Sequence, residues 1–359
     1  MKILLHRIII FITAFIFPVF IYAQSADTAA CCASNCDCTR PDGHAPVGIQ
    51  TADIHEKGEW MISYSFMDMI MSGNRSGTSK ITDDGVFQNY YASPETMGMQ
   101  MNMFMVMYGI SSKFNVMAML NFINNSMSMN MDPTMQMHMG GTTMPMASMV
   151  SSAGGLGDSK IYALYKLTDK QNAHLVLGLG FNIPTGSIEK KSLNIDSVIS
   201  KTSYCMQTGT GSFGILPSVA FTGQSYSFSW GISAKANIQT GANSEGYQFG
   251  NQYSGTSWIA YKLCKFLSAS VRAEIENTGS IKGYDQDIAI FSANDPTANP
   301  ANYGGTCATG FLGVNFYVPK GIYKNLRIAL EYGIPFYENL NGVQMSVQSK
   351  LNAGISFTF

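Results

Sequence analysis

The sequence predicts an all-β protein, a transmembrane antiparallel up-and-down β-barrel of about 12 strands with short periplasmic turns and long extracellular loops. Three observations lead to this fold class. The chain starts with a segment typical of secretory signal peptides, segments of about ten residues alternate between apolar and polar positions as far as the C-terminus, and the connections alternate in length. A soluble β-sandwich also alternates, but its connections tend to be uniformly short.

The N-terminus predicts export. Within residues 1–23, Lys2 and Arg7 precede an apolar run that ends before Ala23, the small residue at the expected cleavage site. The alternative is a membrane anchor, for which this run is short. Residues 24–58 are then predicted to form a flexible, cysteine-containing periplasmic lead, and residues 59–359 to form the outer-membrane barrel.

The first three predicted strands carry methionine on one face. Methionine occupies every odd position from Met97 to Met107, whereas the even side ends with Phe104 and Val106. A period of two is the signature of a β-strand, whose successive side chains point to opposite faces. Residues 60–71 and 114–125 repeat the arrangement. With lipid outside the barrel, the aromatic and branched faces meet hydrocarbon, so the methionines are predicted to face the lumen.

The later predicted strands alternate in the same way between apolar and polar positions. Long loops are predicted near residues 72–96, 126–157, 183–212, 239–252, 278–306 and 335–346. The lumen faces of these strands carry more bases than acids, which favours either anions in the lumen or ion pairs that fill it. These residues are Lys160, Lys166, Lys235, Lys262, Arg272, Arg327 and Lys350 against Glu274, Glu276 and Glu331.

The methionines are the main candidates for chemistry, because 21 of the 24 lie between Met61 and Met149. Thioethers are soft ligands that prefer Cu(I) and Ag(I), and sulfurs on adjacent strands can meet across the ladder. The opposing interpretation is that flexible methionine simply fills the lumen. The candidate metal ligands are Met67, Met69, Met71, Met97, Met99, Met101, Met103, Met105, Met107, Met117, Met119, Met127, Met129, Met131, Met135, Met137, His138 and Met139.

Four cysteines follow the signal segment, namely Cys31, Cys32, Cys36 and Cys38. Clustered cysteines bind soft metals as thiolates, so they join the candidate ligands. In an oxidising periplasm the same residues can form disulfides, and the sequence leaves both states open.

No enzymatic function is predicted. The sequence shows no Ser-His-acid or paired-carboxylate arrangement, and His174 has the wrong strand phase for a barrel phospholipase. The net charge of −1 excludes a nucleic-acid partner. The predicted partners are outer-membrane lipid, a metal ion or small hydrophobic molecule, and the outer-membrane assembly machinery, for which the aromatic terminus Phe359 is suited.

Three segments support a family resemblance: His-Glu-Lys-Gly-Glu-Trp-Met at 55–61, Met-Asp-Met-Ile-Met-Ser-Gly-Asn-Arg at 67–75 and Gly-Phe-Asn-Ile-Pro-Thr-Gly-Ser at 180–187. From about residue 44 to its end, the chain resembles the methionine-rich outer-membrane transporter proteins related to the MetA-pathway of phenol degradation family. The resemblance implies a barrel in the bacterial outer membrane, suspected of handling copper or other heavy metals. Relatives outside the methionine-rich branch are linked to uptake of aromatic compounds. The resemblance implies no catalytic residues.

The function predicted from the sequence is therefore a channel with a methionine-lined lumen and a methionine-rich outer loop. It requires no cofactor, and it binds or passes Cu(I) or Ag(I) as ligand or substrate. The first alternative is a channel for small hydrophobic or aromatic compounds. The second is a non-conducting surface protein that sequesters metal.

Overall fold

The computed structural model describes residues 39–134, 136–139, 142–145, 148–170, 172–193 and 199–359, with the backbone alone for 136–139, 142–145, 169–170 and 193. The predicted signal peptide and the cysteines at 31, 32, 36 and 38 therefore lie outside the described residues, as does Met135.

The described chain is dominated by strands. In chain order they are β1 (Trp60–Gly77), β2 (Ser79–Ile81), β3 (Ala92–Ser111), β4 (Phe114–Met131), β5 (Gln136–Met139), β6 (Thr142–Pro145), β7 (Ser148–Leu156), β8 (Ser159–Lys170), β9 (Ala173–Ile183), β10 (Lys191–Leu193), β11 (Ile199–Lys201), β12 (Gly214–Gln224), β13 (Phe228–Gln239), β14 (Gln252–Lys262), β15 (Leu267–Thr278), β16 (Gly305–Tyr317) and β17 (Leu326–Thr358). The short helices α1 (Asp83–Phe87) and α2 (Gln286–Ala289) and three 3-10 turns lie in the connections. None of the helices in the described ranges has the length and hydrophobicity to span a bilayer.

Eleven strand elements close into a barrel, in the order β1, β3, β4, β8, β9 and β12 to β17, with β17 paired back onto β1. The last element pairs antiparallel with β16 from Arg327 to Leu340, and antiparallel with β1 from Leu340 to Thr358. β1 and β16 run in opposite directions, so β17 can be antiparallel to both only if the chain reverses between the two pairings. The reversal lies near Gly342, whose φ is +59°. β17 thus crosses the wall twice, which gives the even count that a closed antiparallel wall needs, and the predicted fold class is confirmed.

The two faces of the wall are oriented as predicted. On β3 the Met107 side chain is 0% exposed and Phe104 is 47% exposed, and on β4 the values are 1% for Met117 and 50% for Leu120. Exposed aromatic and branched side chains recur on the outer face of every later wall strand, among them Leu179. An outward apolar band is what contact with lipid requires. The thioethers of the first three wall strands face inward.

The strands extend further on the long-loop side than the sequence predicted. Most of the predicted loop at 126–157 is strand, because β4 continues to Met131 and β7 pairs with it. The outward residues there, such as Ser126 and Ser128, are polar, which is why the sequence resembled a loop. Met127, Met129 and Met131 therefore belong to the barrel wall, and their assignment to a methionine-rich outer loop is wrong.

Residues 39–58, here called the plug segment, lie inside the barrel at its periplasmic end. Within this segment, Asp42, Ile49, Ala52 and His55 are buried. The structure thus differs from the expectation of a loose lead over these residues. It also places Trp258 inward, packed against Ile49 and Ala52, although aromatic side chains were expected to face lipid.

Candidate functional site

The methionines of neighbouring strands lie directly opposite one another on the lumen side of the ladder. Opposite partners on adjacent strands are about 5 Å apart at their β-carbons. The pairs are Met61–Met107, Met67–Met101, Met69–Met99 and Met71–Met97 between β1 and β3, and Met97–Met127, Met105–Met119 and Met107–Met117 between β3 and β4.

Two groups of these methionines are packed as apolar core. The lower methionine cluster, near the periplasmic turns, comprises Met61, Met105, Met107, Met117 and Met119 and packs with Tyr162, Leu164, Val176 and Leu216, while Met103 lies half-buried against it. The upper methionine cluster, near the outer loops, comprises Met97, Met127, Met129, Met131 and Met206. Met71, Met99, Met149, Cys205 and Met345 pack against the upper cluster.

A cavity of about 400 Å³, here called the central cavity, lies in the lumen beside these clusters. Its apolar side is formed by methionines from β1, β3 and β17, which are Met69, Met71, Met97, Met99, Met101 and Met345. Its polar side is formed by the turn before β8, by β8, β9 and β13, and by the loop before β12, which contribute Asp158, Lys160, Asn182, Asn237 and Thr210. The cavity therefore presents thioethers on one wall and an amine with amides on another.

Outer loops border the central cavity through Tyr204, Cys205, Thr297 and Tyr303. The rings of Tyr204 and Tyr303 are 5.7 Å apart at their centroids, and the Tyr303 hydroxyl accepts a 2.9 Å hydrogen bond from the backbone N–H of Cys205. The same hydroxyl donates to the Thr297 carbonyl at 2.8 Å. Burial raises the pKa values of the Cys205 thiol and the Tyr303 phenol, so both are protonated at neutral pH.

A single lysine joins the outer loops above this border. The Lys201 amine lies 2.7 Å from Asp285 and 3.3 Å from Glu245, and it also pairs with Glu189. Burial alone would lower the pKa of Lys201, but hydrogen bonds to Asp285 and Glu189 outweigh it and raise the pKa. Three separate loops are thereby held to one cation.

Asp158 organises the polar side of the cavity. Its Oδ2 accepts hydrogen bonds from the amide of Asn182 at 2.9 Å and from the backbone N–H and hydroxyl of Thr210 at 3.0 and 2.6 Å. Its Oδ1 accepts from the backbone N–H of Gly186 at 3.1 Å, in the Pro-Thr-Gly motif after β9. The motif is thus a turn fixed to the end of the neighbouring wall strand.

The plug segment closes the lumen from below. The Gly48 backbone N–H donates to Oε2 of Glu331 at 2.9 Å, and the Arg272 guanidinium binds both oxygens of the same carboxylate at 3.0 and 3.2 Å. The Gln50 amide lies 3.5 Å from the Met103 sulfur. The segment is therefore held by the inward faces of β3, β15 and β17.

The predicted ligand set is only partly brought together. Met97, Met127, Met129 and Met131 meet in one cluster, and four others meet in the lower cluster, whereas Met67 belongs to neither. For Met137, His138 and Met139 the structure describes only a backbone hairpin of β5 with β6. Among the described residues, no group of three or more His, Cys, Asp and Glu could hold a metal.

Sequence reasoning missed several residues of the site. Cys205 and Met206 come from a distant loop, and Met345 from the final strand, to join the upper cluster. A methionine next to a cysteine in an otherwise methionine-poor half of the chain was the available signal. Asp158 gave no signal, because a single acid after a Gly-rich strand end is typical of any loop.

The comparisons with known proteins support the predicted family resemblance. The model of the family described as "Putative MetA-pathway of phenol degradation" matches residues 118–290. The predicted relation to this family is confirmed. The match does not distinguish a methionine-rich branch within the MetA-pathway family. Comparison with curated proteins gave no match.

A solved structure shares the barrel fold. The crystal structure of an outer membrane channel from Pseudomonas putida F1 is similar with a TM-score of 0.54 at 11% identity, over 86% of this chain and 98% of that chain. The toluene transporter TodX of P. putida gives a TM-score of 0.38 at 10% identity, over 84% and 89% of the two chains. The chain is an outer-membrane β-barrel, and the predicted localisation is confirmed.

Proposed function

We propose that this protein is a non-enzymatic outer-membrane channel for small hydrophobic or aromatic compounds, which bind in the central cavity. The observation that carries the proposal is the combination of a lumenal cavity of about 400 Å³ with methionines from three strands along one side. Cavities of roughly 300–1,000 Å³ with mainly apolar linings are typical small-molecule sites.

Methionine suits such a site physically. Its unbranched thioether adapts to ligands of different shape, and a sulfur against an aromatic ring contributes about 0.3–1.5 kcal/mol. Met99 and Met101 are half-buried, so part of each side chain is free to contact a ligand, whereas Met97 is already buried in the upper cluster. The description of the family, which names phenol degradation, supports an aromatic substrate.

Passage through the barrel requires the plug segment to move, because its residues fill the periplasmic end of the lumen. The contacts that hold the segment include hydrogen bonds from Gly48 to Glu331 and from Arg327 to the Arg40 carbonyl, and a small apolar contact with Trp258. Few of these contacts are apolar, and segments with few apolar contacts open locally at lower free-energy cost than a packed core. The central cavity is then a binding site on a gated path.

Binding of Cu(I) or Ag(I) by the same thioethers remains a prediction and is the second candidate. It is favoured by the direct opposition of methionines on adjacent strands, such as Met69 with Met99. Strands about 4.8 Å apart allow two such sulfurs to approach one soft ion. Under this alternative the sulfur atom is essential, whereas under the main proposal only its apolar character matters.

Matched substitutions separate the two candidates. In the refolded protein in detergent, Met99→Leu with Met101→Leu keeps apolar volume but removes both sulfurs, and Met99→Gln with Met101→Gln adds polarity at similar size. Fluorobenzene affinity, measured by fluorine NMR, is expected to change by less than about threefold in the leucine variant and to fall by about tenfold or more in the glutamine variant. Strand content by circular dichroism serves as the folding control.

Absence of fluorobenzene binding to the unmodified protein would overturn the proposal. Equal loss in both variants, together with Ag(I) binding that both variants abolish, would favour the metal candidate instead. The second alternative, metal sequestration without conduction, predicts Ag(I) binding but no ion current or solute flux after removal of residues 39–58.

A further inference from the structure

Lys160 is the cation that faces the methionines across the lumen. It lies on the inward face of β8, directly opposite Met119 of β4 and Asn182 of β9. Its side chain lines the central cavity and also a smaller space of about 110 Å³ below it, here called the polar chamber. The residues Gly48 to Thr51 of the plug segment form part of the same chamber.

The Lys160 amine has no hydrogen bond or ion pair with any residue in the described ranges. The nearest acid along the chain, Asp158, is already occupied by hydrogen bonds from Asn182, Thr210 and Gly186. Removing a charge from bulk water without a partner is costly, so this position is poorly explained as a structural ion pair. The lumen cation Lys350 differs, since it lies 3.6 Å from Glu276 and 3.9 Å from Glu274.

The carboxylates of the polar chamber are themselves compensated. Glu274 lies 2.8 Å from Arg272, and Glu276 accepts a 2.7 Å hydrogen bond from Gln252. Lys235 lines the same chamber as a second cation and likewise has no polar partner in the part of the chain that the structure describes. The chamber therefore adjoins the apolar cavity with two amines, Lys160 and Lys235, that no carboxylate of the described residues contacts within hydrogen-bond or ion-pair distance.

We propose that the central cavity selects small aromatic compounds that carry an acidic group, a carboxylate or phenolate. The ring contacts the methionines of β1 and β3, and the anionic oxygen accepts a hydrogen bond from Lys160. This inference rests on the proposed function and specifies its substrate class. A charge-assisted hydrogen bond in a poorly solvated site is stronger than a neutral one, so it discriminates between ligands of similar shape.

The test compares 4-fluorobenzoate with fluorobenzene, using fluorine NMR on the full-length refolded protein. Lys160→Met removes the charge at similar length, and Lys160→Arg keeps it. Lys350→Met is the matched control, because it removes one lumen charge without lining the central cavity. Lys160→Met is expected to lower the affinity for 4-fluorobenzoate about tenfold or more and the affinity for fluorobenzene less than about threefold. The arginine variant and the Lys350 control are expected to stay within about threefold of the unmodified protein.

Unchanged 4-fluorobenzoate affinity in Lys160→Met, with fluorobenzene still bound, would overturn this inference and leave the proposed function standing. Failure of both compounds to bind the unmodified protein would overturn the proposed function. If Lys160→Met does not refold, the inference is tested by measuring how the ligand affinities of the unmodified protein depend on salt concentration. The affinity for 4-fluorobenzoate is expected to fall with ionic strength while that for fluorobenzene stays constant, and two flat profiles would contradict the role of Lys160.

Discussion

The backbone N–H of Gly48 donates a hydrogen bond of 2.9 Å to Oε2 of Glu331, which ties the plug segment to the inner face of the last strand. A β-carbon added at Gly48 would lie 2.4 Å from a guanidinium nitrogen of Arg272 and 2.9 Å from the same glutamate oxygen. Glycine at this position therefore allows the close approach of the segment to a buried ion pair. The contact makes the plug segment sensitive to a single methyl group.

Gly48→Val is expected to displace the plug segment without unfolding the barrel. The added side chain cannot share space with Arg272, which is itself fixed by Glu331 and stacked on Phe311 with its guanidinium 3.7 Å from the ring centroid. Ion conductance in planar bilayers should rise, and proteolysis within residues 39–58 should accelerate. Gly241→Val is the control, since nothing lies within 4 Å of its added β-carbon. Unchanged conductance in Gly48→Val would contradict a closing role for the segment.

Arg272→Met is expected to destabilise the barrel by about 3–5 kcal/mol, because Glu331 would keep a buried charge without its partner. The double variant Arg272→Met with Glu331→Gln should recover part of that loss, since the Glu331 charge is then absent, while Glu274 loses Arg272 but keeps Lys350 at 3.9 Å. Urea unfolding followed by tryptophan fluorescence measures both values. A double variant no more stable than the single one would show that packing, rather than charge, dominates at this position.

His55 is expected to make docking of the plug segment depend on pH. Burial, and then repulsion by His44 and Arg327, lower the pKa of His55 to about 4, against attraction by Asp53. A released histidine titrates near 6.5, so the released segment binds the proton more tightly. Docking is therefore strongest above about pH 6.5 and weakens as the pH falls towards 4, by at most about 3 kcal/mol.

Conductance measured between about pH 7 and about pH 4.5 should rise in the unmodified protein and remain flat in His55→Gln. The other charged groups near His55 are His44, Asp53, Arg327 and Glu59, the last at 3.8 Å. Burial tends to raise the pKa of Asp53, but the His44 charge and hydrogen bonds outweigh it and lower the pKa. Asp53 thus contributes stability that is lost only below about pH 4. If the conductance of His55→Gln depends on pH as steeply as that of the unmodified protein, the His55 imidazole is not the source of the pH dependence.

Lys201→Gln is expected to loosen the outer loops. The substitution leaves the buried carboxylate of Asp285 without its cation and frees Glu189 and Glu245, so the three loops lose their common partner. Hydrogen exchange should accelerate in residues 199–206 and 285–289 while the wall strands stay protected. Exchange rates equal to those of the unmodified protein would show that the aromatic contacts of Tyr204 hold the loops without the lysine.

The inward direction of the methionines could be predicted from sequence, because alternation on β3 places Met107 and Phe104 on opposite faces and only one face can meet lipid. The extent of the strands could not. Ser126 and Ser128 are outward residues of a strand that continues past the apolar band, and polarity there no longer distinguishes strand from loop. The reversal near Gly342 falls within the predicted loop at 335–346, although strand pairing continues almost up to the reversal.

The contacts that fill the lumen could not be predicted from the sequence either. Trp258 and Phe311 face inward because the plug segment and Arg272 pack against them, and neither partner is close in sequence. The free amine of Lys160 became visible only when the acids around it could be assigned to other partners. The sequence predicted which charged residues face the lumen. The structure shows that Arg272 and Lys350 form ion pairs there, whereas Lys160 lines the central cavity without one.

The most direct test of the methionine-lined cavity as a binding site is a crystal structure of the protein soaked with 4-bromotoluene. The anomalous signal of bromine locates the ring without ambiguity. We expect a bromine peak inside the lumen, in van der Waals contact with Met99 or Met101. A lumen without such a peak, with bromine confined to the outer apolar band, would contradict it.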